Sequence, residues 1–289
     1  MVAGGEETRR ELVAAGLGRV AEPLASAVEG GVRMRAEAAE DAHILVGSSK
    51  MGGRPDMSPD AAWPRWNRGP LSFICQLNLD DVQAFACCQA LPRTGRLLFF
   101  YDSVQQRWGF DPNDRESFSV IYTRSPEASL RRRNWPDDLV QEARFDPCSL
   151  TLCEVLTLPP WESILVEQLQ LTEEEADRYA AVVEALESEE GEEGRHQLLG
   201  HPSPIQQEMQ LECQLAANGI YVGDQLGYAD PRRKRLEPGA LEWRLLLQLD
   251  SEQQARMTWG DLGRLYFWIR EADLRGQQFH EAWVILQSG

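Results

Sequence analysis

Side chains that could carry chemistry are sparse in this sequence and match no familiar catalytic pattern. The sequence contains no phosphate-binding loop, no GxGxxG motif after a strand, no GxSxG nucleophile elbow, no HExxH zinc motif and no CxxC pair. The closest pair of histidines, His196 and His201, flanks Gly200 at a spacing unsuited to metal ligands. Asp80 and Asp81 stand where a helix begins, and carboxylates there stabilise the helix dipole. We therefore expect no catalytic residue, no metal site and no cofactor.

Two glutamines are more informative, because each lies in the middle of an apolar strand. Gln76 interrupts residues 71–79, and Gln248 interrupts residues 245–249. A buried amide without partners would cost about 2–7 kcal/mol, so both side chains must be hydrogen-bonded. In one interpretation, each amide holds the backbone of a nearby Gly-x-Pro loop. In the other, the two amides lie near a symmetry axis and line a shared cleft.

The motifs around these glutamines occur twice in the same order. Each half of the chain has a Gly-x-Pro loop, then the glutamine strand, then a Gly-Arg-Leu segment that begins an aromatic strand. The matching segments are Gly53-Arg54-Pro55 and Gly200-His201-Pro202, PLSFICQLNLDD and EWRLLLQLDS, and TGRLLFFYD and LGRLYFWIR. The pattern indicates two duplicated β-units, at about residues 42–158 and 196–289, that bury their apolar faces against each other with approximate internal two-fold symmetry.

Hydrophobic periodicity predicts the elements that must position these motifs. The nearly continuous apolarity of residues 71–79 indicates a strand with both faces covered. Thr172 and Glu175 form a capping box ahead of a helical face at residues 176–186. The other predicted strands are residues 32–36, 42–46, 97–101, 118–123, 139–145, 150–158, 209–217, 245–249 and 265–269, and further helices are residues 6–17 and 80–90.

The elements divide the chain into an N-terminal helical extension, residues 1–30, and a single domain, residues 31–289. The Gly- and Pro-rich segment 48–66 is too irregular for one element, and its aromatic residues favour an ordered loop over a disordered one. Trp63 and Trp66 are core residues in one interpretation. In the other they form a partner-binding surface beside Lys50 and Arg54.

Charge and composition restrict the classes of partner. A formal net charge of −17 argues against nucleic-acid binding and favours a basic protein partner. The acidic run Glu187–Glu193 is either a solvated loop or a lure for such a partner, and the basic runs Arg131–Arg133 and Arg232–Arg235 are either solvated loops or anion sites. With no secretory leader and no run of about 18 apolar residues, we expect a cytoplasmic protein without membrane contact. The six cysteines lack paired spacing and fit free buried thiols better than disulfides or zinc.

Six ordered motifs resemble those of the YwqG-like family, a bacterial domain of unknown function. They are SKMGGRP, PLSFICQLNL, LPRTGRLLFFYD, HQLLGHPSPIQ, WRLLLQLDS and WGDLGRLYFWIREADLRGQQF, spread from about residue 40 to the end. Asp56-Met57 departs from the aromatic-proline pair that is usual in the first loop. The resemblance implies an α+β fold with a mainly antiparallel β-sheet and flanking helices, and it implies no established activity, cofactor or catalytic residue. It also implies association with bacterial toxin systems as an immunity or accessory protein.

Three hypotheses of function follow. The first is a non-catalytic protein-interaction module, such as a toxin-immunity or accessory protein, with a basic protein as its partner. The second is a small-ligand-binding protein or cryptic enzyme with a cleft between the two repeats. The polar residues expected to line that cleft are Lys50, Arg54, Gln76, His201, Gln206, Gln248 and Asp261. The third is a purely structural scaffold.

Overall fold

The computed structural model describes residues 5–67, 69–188 and 194–289. Its strands are β1 (Glu29–Ala38), β2 (Lys50–Met51), β3 (Asp56–Met57), β4 (Arg65–Trp66), β5 (Gly69–Pro70), β6 (Ser72–Asn78), β7 (Arg96–Tyr101), β8 (Phe118–Thr123), β9 (Arg131–Arg132), β10 (Cys148–Thr157), β11 (His196–Leu198), β12 (Trp243–Asp250), β13 (Arg264–Arg270) and β14 (Trp283–Gln287). Its α-helices are α1 (Gly5–Ala14), α2 (Ala21–Ser26), α3 (Leu79–Val82), α4 (Ile164–Glu167), α5 (Glu173–Ser188), α6 (Gln210–Ala216), α7 (Gln225–Tyr228), α8 (Arg233–Leu236) and α9 (Glu271–Arg275). Short 3-10 helices lie at Ala86–Ala90, Pro112–Glu116, Glu127–Ser129, Gln141–Ala143, Glu237–Glu242 and Phe279–Glu281.

One antiparallel sheet of ten strands dominates the fold, in the order β14-β13-β12-β11-β1-β10-β2-β6-β7-β8. The long strands β1 and β10 pair at the centre of the sheet. They divide it into two sets of five strands, which are β14-β13-β12-β11-β1 and β10-β2-β6-β7-β8. The sheet curls until it is nearly closed, and its edges approach where Phe118 packs edge-to-face on Trp283 and the Leu286 N–H donates to the Trp108 carbonyl. The predicted mainly antiparallel sheet with flanking helices is confirmed.

Both faces of β6 and β7 are covered, as the continuous apolarity of residues 71–79 predicted. Inside the curl, Phe99 of β7 and Phe267 of β13 meet edge-to-face with ring centroids 5.1 Å apart. On the other face, Phe73 and Phe100 pack under the loop that carries Trp63. Burial of such aromatic residues is the main source of stability in the fold.

The N-terminal helices pack against α5 through a second, smaller core. Leu12, Leu24 and Tyr179 are buried there, and the Tyr179 hydroxyl donates to the Pro159 carbonyl at 2.7 Å. The predicted capping box is confirmed, because the Thr172 hydroxyl accepts from the Glu175 N–H and the Glu175 carboxylate accepts from the Thr172 N–H. Residues 1–4 of the N-terminal extension and residues 189–193 of the acidic run lie outside the described residues.

Two predicted strands in the first half are wrong. Residues 42–46 form a turn that Gly47, at a φ of +90°, ends before the chain enters β2, and Leu45 is exposed in it. Residues 139–145 contain the 3-10 helix Gln141–Ala143, and the Arg144 side chain donates to the Leu139 carbonyl. In both segments local hydrogen bonds replace a strand ladder.

Residues 209–217 were also predicted as a strand, and this is wrong as well, because they form α6. Their backbone is helical from Gln210 to Ala216, and the fully buried Met209, Cys213 and Ala216 are spaced by four and three residues, as on one face of a helix. In the sequence, Leu211, Cys213 and Leu215 alternate with polar residues, which is also the pattern of a strand. This correction matters for the functional site, since α6 carries Glu212, which lines it.

All six cysteines are free thiols, and four of them are buried. Burial raises the pKa of the Cys148 thiol to about 11, as expected for a thiol in an apolar environment. Within the described ranges, none of the helices combines the length and the apolarity required to cross a membrane.

Candidate functional site

Gln76 closes the first Gly-x-Pro loop from inside the sheet. Its side chain is fully buried in β6. Oε1 accepts from the Asp56 N–H at 2.9 Å, and Nε2 donates to the Ser48 carbonyl and to Asp56 Oδ2, both at 2.8 Å. The amide therefore holds the chain on both sides of β2.

A network of charged side chains surrounds this loop. The fully buried Lys50 donates from Nζ to Asp41 Oδ1 at 2.7 Å, and Arg54 donates from Nε to Asp41 Oδ2 at 2.8 Å. Arg132 makes a two-pronged contact with the buried Asp56, at 2.9 and 3.1 Å. Burial lowers the pKa of Lys50. Burial alone would raise the pKa of Asp41, but the hydrogen bonds from Lys50 and Arg54 outweigh it and the pKa is lowered.

Gln248 closes the second Gly-x-Pro loop in the same way. It is fully buried in β12, its Oε1 accepts from the Ser203 N–H at 2.9 Å, and its Nε2 donates to the Arg195 carbonyl at 2.7 Å. Its partner across the sheet, Gln197, donates to the His201 carbonyl at 2.8 Å. Both glutamines thus make the loop-holding contacts of the first interpretation.

His201 and Gln206 tie the second loop to distant parts of the chain. His201 Nε2 lies 2.7 Å from the Ala27 carbonyl oxygen, and burial lowers the pKa of the ring, so a neutral imidazole donates to that carbonyl. Gln206 donates from Nε2 to the Ser288 carbonyl at 2.8 Å. These contacts join the second half to the N-terminal helices and to the end of the chain.

The remaining predicted site residues lie apart from the loops. Trp63 is half-buried and donates from Nε1 to the Leu71 carbonyl at 2.9 Å. Trp66 is half-buried beneath the Arg107 guanidinium, which lies 4.7 Å from the ring centroid. Asp261 is exposed in the turn before β13.

The structure does not bring the predicted cleft residues together. Lys50, Arg54 and Gln76 belong to one cluster, and His201, Gln206 and Gln248 belong to another. The strands β1 and β10 lie between β2 and β11. In addition, Gly53 lies against Pro147 and Gly200 lies against Thr157, so the two loops lie toward opposite ends of β10. Each cluster serves its own loop.

A cavity of about 650 Å³ lies outside both clusters, beside α6. We call it the α6 cavity. Its charged lining residues are Glu162, Glu167, Glu208, Glu212, Glu237, Arg233 and Lys234. Its apolar wall consists of Ile164, Leu211, Tyr228, Pro238 and Leu241. An apolar wall with a few convergent polar groups is the usual character of a ligand site.

Two glutamates line this cavity near the start of α6, Glu208 just before the helix and Glu212 within it. Glu208 Oε1 accepts from the backbone N–H groups of Met209 and Gln210, at 3.0 and 2.8 Å, and so caps the helix. Glu212 lies in the first turn of the helix and also lines the cavity. The opposite side of α6 is fixed in the core, where Gln214 accepts from Trp243 Nε1 at 2.9 Å.

Glu212 is the most unusual of these side chains, with only 3% of its surface exposed. Its Oε1 accepts from Gln207 Nε2 at 2.6 Å and from the Tyr228 hydroxyl at 3.1 Å. Its Oε2 is buried and has no hydrogen-bond partner among the residues that the structure describes. Burial, reinforced by the nearby charge of Glu208, raises the pKa of Glu212 to about 7.

The electrostatics of the α6 cavity favour a positively charged group. Burial also raises the pKa values of Glu162 and Glu208, because removal from water disfavours a charged carboxylate. Arg233 is already engaged, because its Nη2 lies 3.1 Å from Glu237 Oε1. Across the described parts of the chain, no group of three or more His, Cys, Asp or Glu side chains is placed to hold a metal ion.

No residue of this cavity was predicted as a site residue from the sequence. The signal in the sequence is that Glu208 and Glu212 stand close together at the start of a mainly apolar segment. The prediction of a strand at residues 209–217 gave no reason to place Glu212 on a helix beside a cavity.

Comparison with known protein families gives a match. The model of a family described as a domain of unknown function (DUF1963) matches residues 49–288. No curated protein matches the chain.

Proposed function

The chain belongs to the DUF1963 family, and we propose that it is a non-catalytic binding protein whose partner site is the α6 cavity. The observation that carries the proposal is the buried side chain of Glu212, which lines the cavity and has one carboxylate oxygen without a partner in the described residues. The loop-holding roles of Gln76 and Gln248 support binding over catalysis, since the residues first suspected of lining a cleft serve the backbone.

The surroundings of the cavity favour a protein as the partner. Leu241 lines the cavity and is exposed, Leu226 is 79% exposed beside Tyr228, and Trp161 is exposed next to Glu162. Exposed apolar side chains around a polar centre are typical of protein interfaces. A net charge of −17 would speed the approach of a basic protein.

The more specific form of the proposal follows the resemblance to the YwqG-like family. In this form the protein is bacterial and cytoplasmic, and it neutralises or accompanies a basic toxin. The strongest support is that the cavity is lined mainly by acidic and apolar side chains, which are complementary to a basic protein surface.

Charge reversal at the cavity tests the proposal. Glu167 is exposed at the rim, and Glu167→Lys should weaken capture of a basic protein from the native host by about 10-fold or more at physiological salt, because like charges would meet. Glu116→Lys is the matched control, since Glu116 is exposed and lies outside the cavity. Capture of no basic protein, or equal capture by both variants, would refute the proposal.

We also propose that the two halves are copies of one β-unit. Gln76 and Gln248 accept from equivalent loop positions, the N–H groups of Asp56 and Ser203. Each glutamine strand has an irregularity at the same place, two residues before its glutamine, between Phe73 and Cys75 or between Leu245 and Leu247. In addition, β1 lies beside β11 as β10 lies beside β2. On this proposal β10 belongs to the first unit and β1 to the second, and the two strands occupy equivalent positions.

A further inference from the structure

We propose that the α6 cavity binds a primary ammonium group carried on an apolar stem, and that its natural form is a lysine side chain of the partner protein. The inference rests on the proposed function, in that it takes the α6 cavity as the partner site. It adds the chemical group that the cavity recognises and the atom that receives it.

The receiving atom is Oε2 of Glu212. Because Oε1 is already engaged by Gln207 and Tyr228, Oε2 is the oxygen left for a donor from a ligand. A buried acceptor without a partner costs about 1–3 kcal/mol, and a donor from the ligand would remove that cost. Glu208 also lines the cavity and supplies a second carboxylate for the same cation.

The geometry favours an ammonium over other cations. A guanidinium binds best through two parallel hydrogen bonds to both oxygens of one carboxylate, and at Glu212 one oxygen is occupied. A quaternary ammonium has no N–H and would leave Oε2 unsatisfied. A primary ammonium is a compact charge with three donors, so it can contact Glu212 and Glu208 together.

The rest of the cavity suits the aliphatic stem of such a group. Leu211, Leu241 and Pro238 offer apolar contacts along the wall, and lysine packs its methylene chain on such surfaces while its charge is bound elsewhere. Arg233 Nε is a second buried polar atom that lacks a partner within the described residues. A peptide carbonyl could accept from it, and a lysine in a peptide carries one whereas a free alkylamine does not.

The experiment measures binding of small probes by isothermal titration to the full chain. The probes are N-acetyl-lysine amide, hexylamine and hexyltrimethylammonium. We expect N-acetyl-lysine amide to bind, hexylamine to bind more weakly, and hexyltrimethylammonium not to bind. Glu212→Gln should weaken the binding of N-acetyl-lysine amide by about 10- to 100-fold, since it removes a charge-assisted hydrogen bond. Glu116→Gln, outside the cavity, is the matched control, and the melting temperature of each variant verifies that it is folded.

Three outcomes would overturn the inference. Equal binding of hexyltrimethylammonium would show that the cavity does not select for N–H donors, and unchanged affinity in folded Glu212→Gln would remove the proposed acceptor. Tighter binding of hexylamine than of N-acetyl-lysine amide would assign the cavity to a free amine. If no probe binds but capture of a basic protein still depends on Glu167, the proposed function stands and the inference fails. If neither occurs, both fail.

Discussion

Replacing Gln76 by leucine tests whether the amide is the main tie of the first loop. The substitution keeps the size of the side chain roughly constant and removes hydrogen bonds to the Asp56 N–H, the Ser48 carbonyl and the Asp56 carboxylate. Two neutral bonds contribute about 1 kcal/mol each and the bond to the charged group about 1.5–3 kcal/mol. We therefore expect the free energy of unfolding to fall by about 4 kcal/mol.

Gln248→Leu is the matched control for this prediction. It removes only two neutral bonds, to the Ser203 N–H and the Arg195 carbonyl, so the expected loss is about 2 kcal/mol. Urea unfolding followed by tryptophan fluorescence measures both variants, and an unchanged m-value shows that the midpoint shift reports stability. Equal losses in the two variants, or a loss below about 1 kcal/mol for Gln76→Leu, would refute the argument from Asp56.

Two further predictions concern buried charges. The pKa of Glu212 is about 7 in the folded protein, compared with its ordinary value of 4.5. Between pH 4.5 and about pH 7, the folded state therefore keeps a proton on Glu212 that the unfolded state releases. The free energy of unfolding should therefore fall by about 3 kcal/mol as pH rises through this window, at 1.36 kcal/mol per pKa unit. Urea unfolding between about pH 5 and pH 8 measures this decline, which should be absent in Glu212→Gln and present in Glu116→Gln. Parallel pH profiles for the two variants and the unmodified protein would contradict the assignment of the decline to Glu212. Asp41→Asn should cost about 3–5 kcal/mol, because it leaves the buried Lys50 without its counter-charge. Adding Lys50→Met should recover part of that loss in the same assay, and a double variant less stable than Asp41→Asn would show that Lys50 is not the source of the cost.

The sequence by itself determined the elements whose pattern is local. Continuous apolarity over residues 71–79 and 265–269 gave strands in the right places, and the capping box at Thr172 was found with its hydrogen bonds as expected. The two glutamines were correctly expected to be paired, because an unpaired amide in an apolar strand is too costly at any position in a fold.

The tertiary structure decided which residues share a site. Residues 209–217 fit a strand by their alternation, and only the core contacts of Met209, Cys213 and Ala216 select a helix. The α6 cavity assembles residues from about 162 to 241, and the raised pKa of Glu212 depends on burial that those segments create together. The burial of a side chain, and its distance from other charges, depend on neighbours that are distant in the sequence and meet only in the folded protein. For that reason the polar loop residues could be identified from the sequence, and the acidic cavity could not.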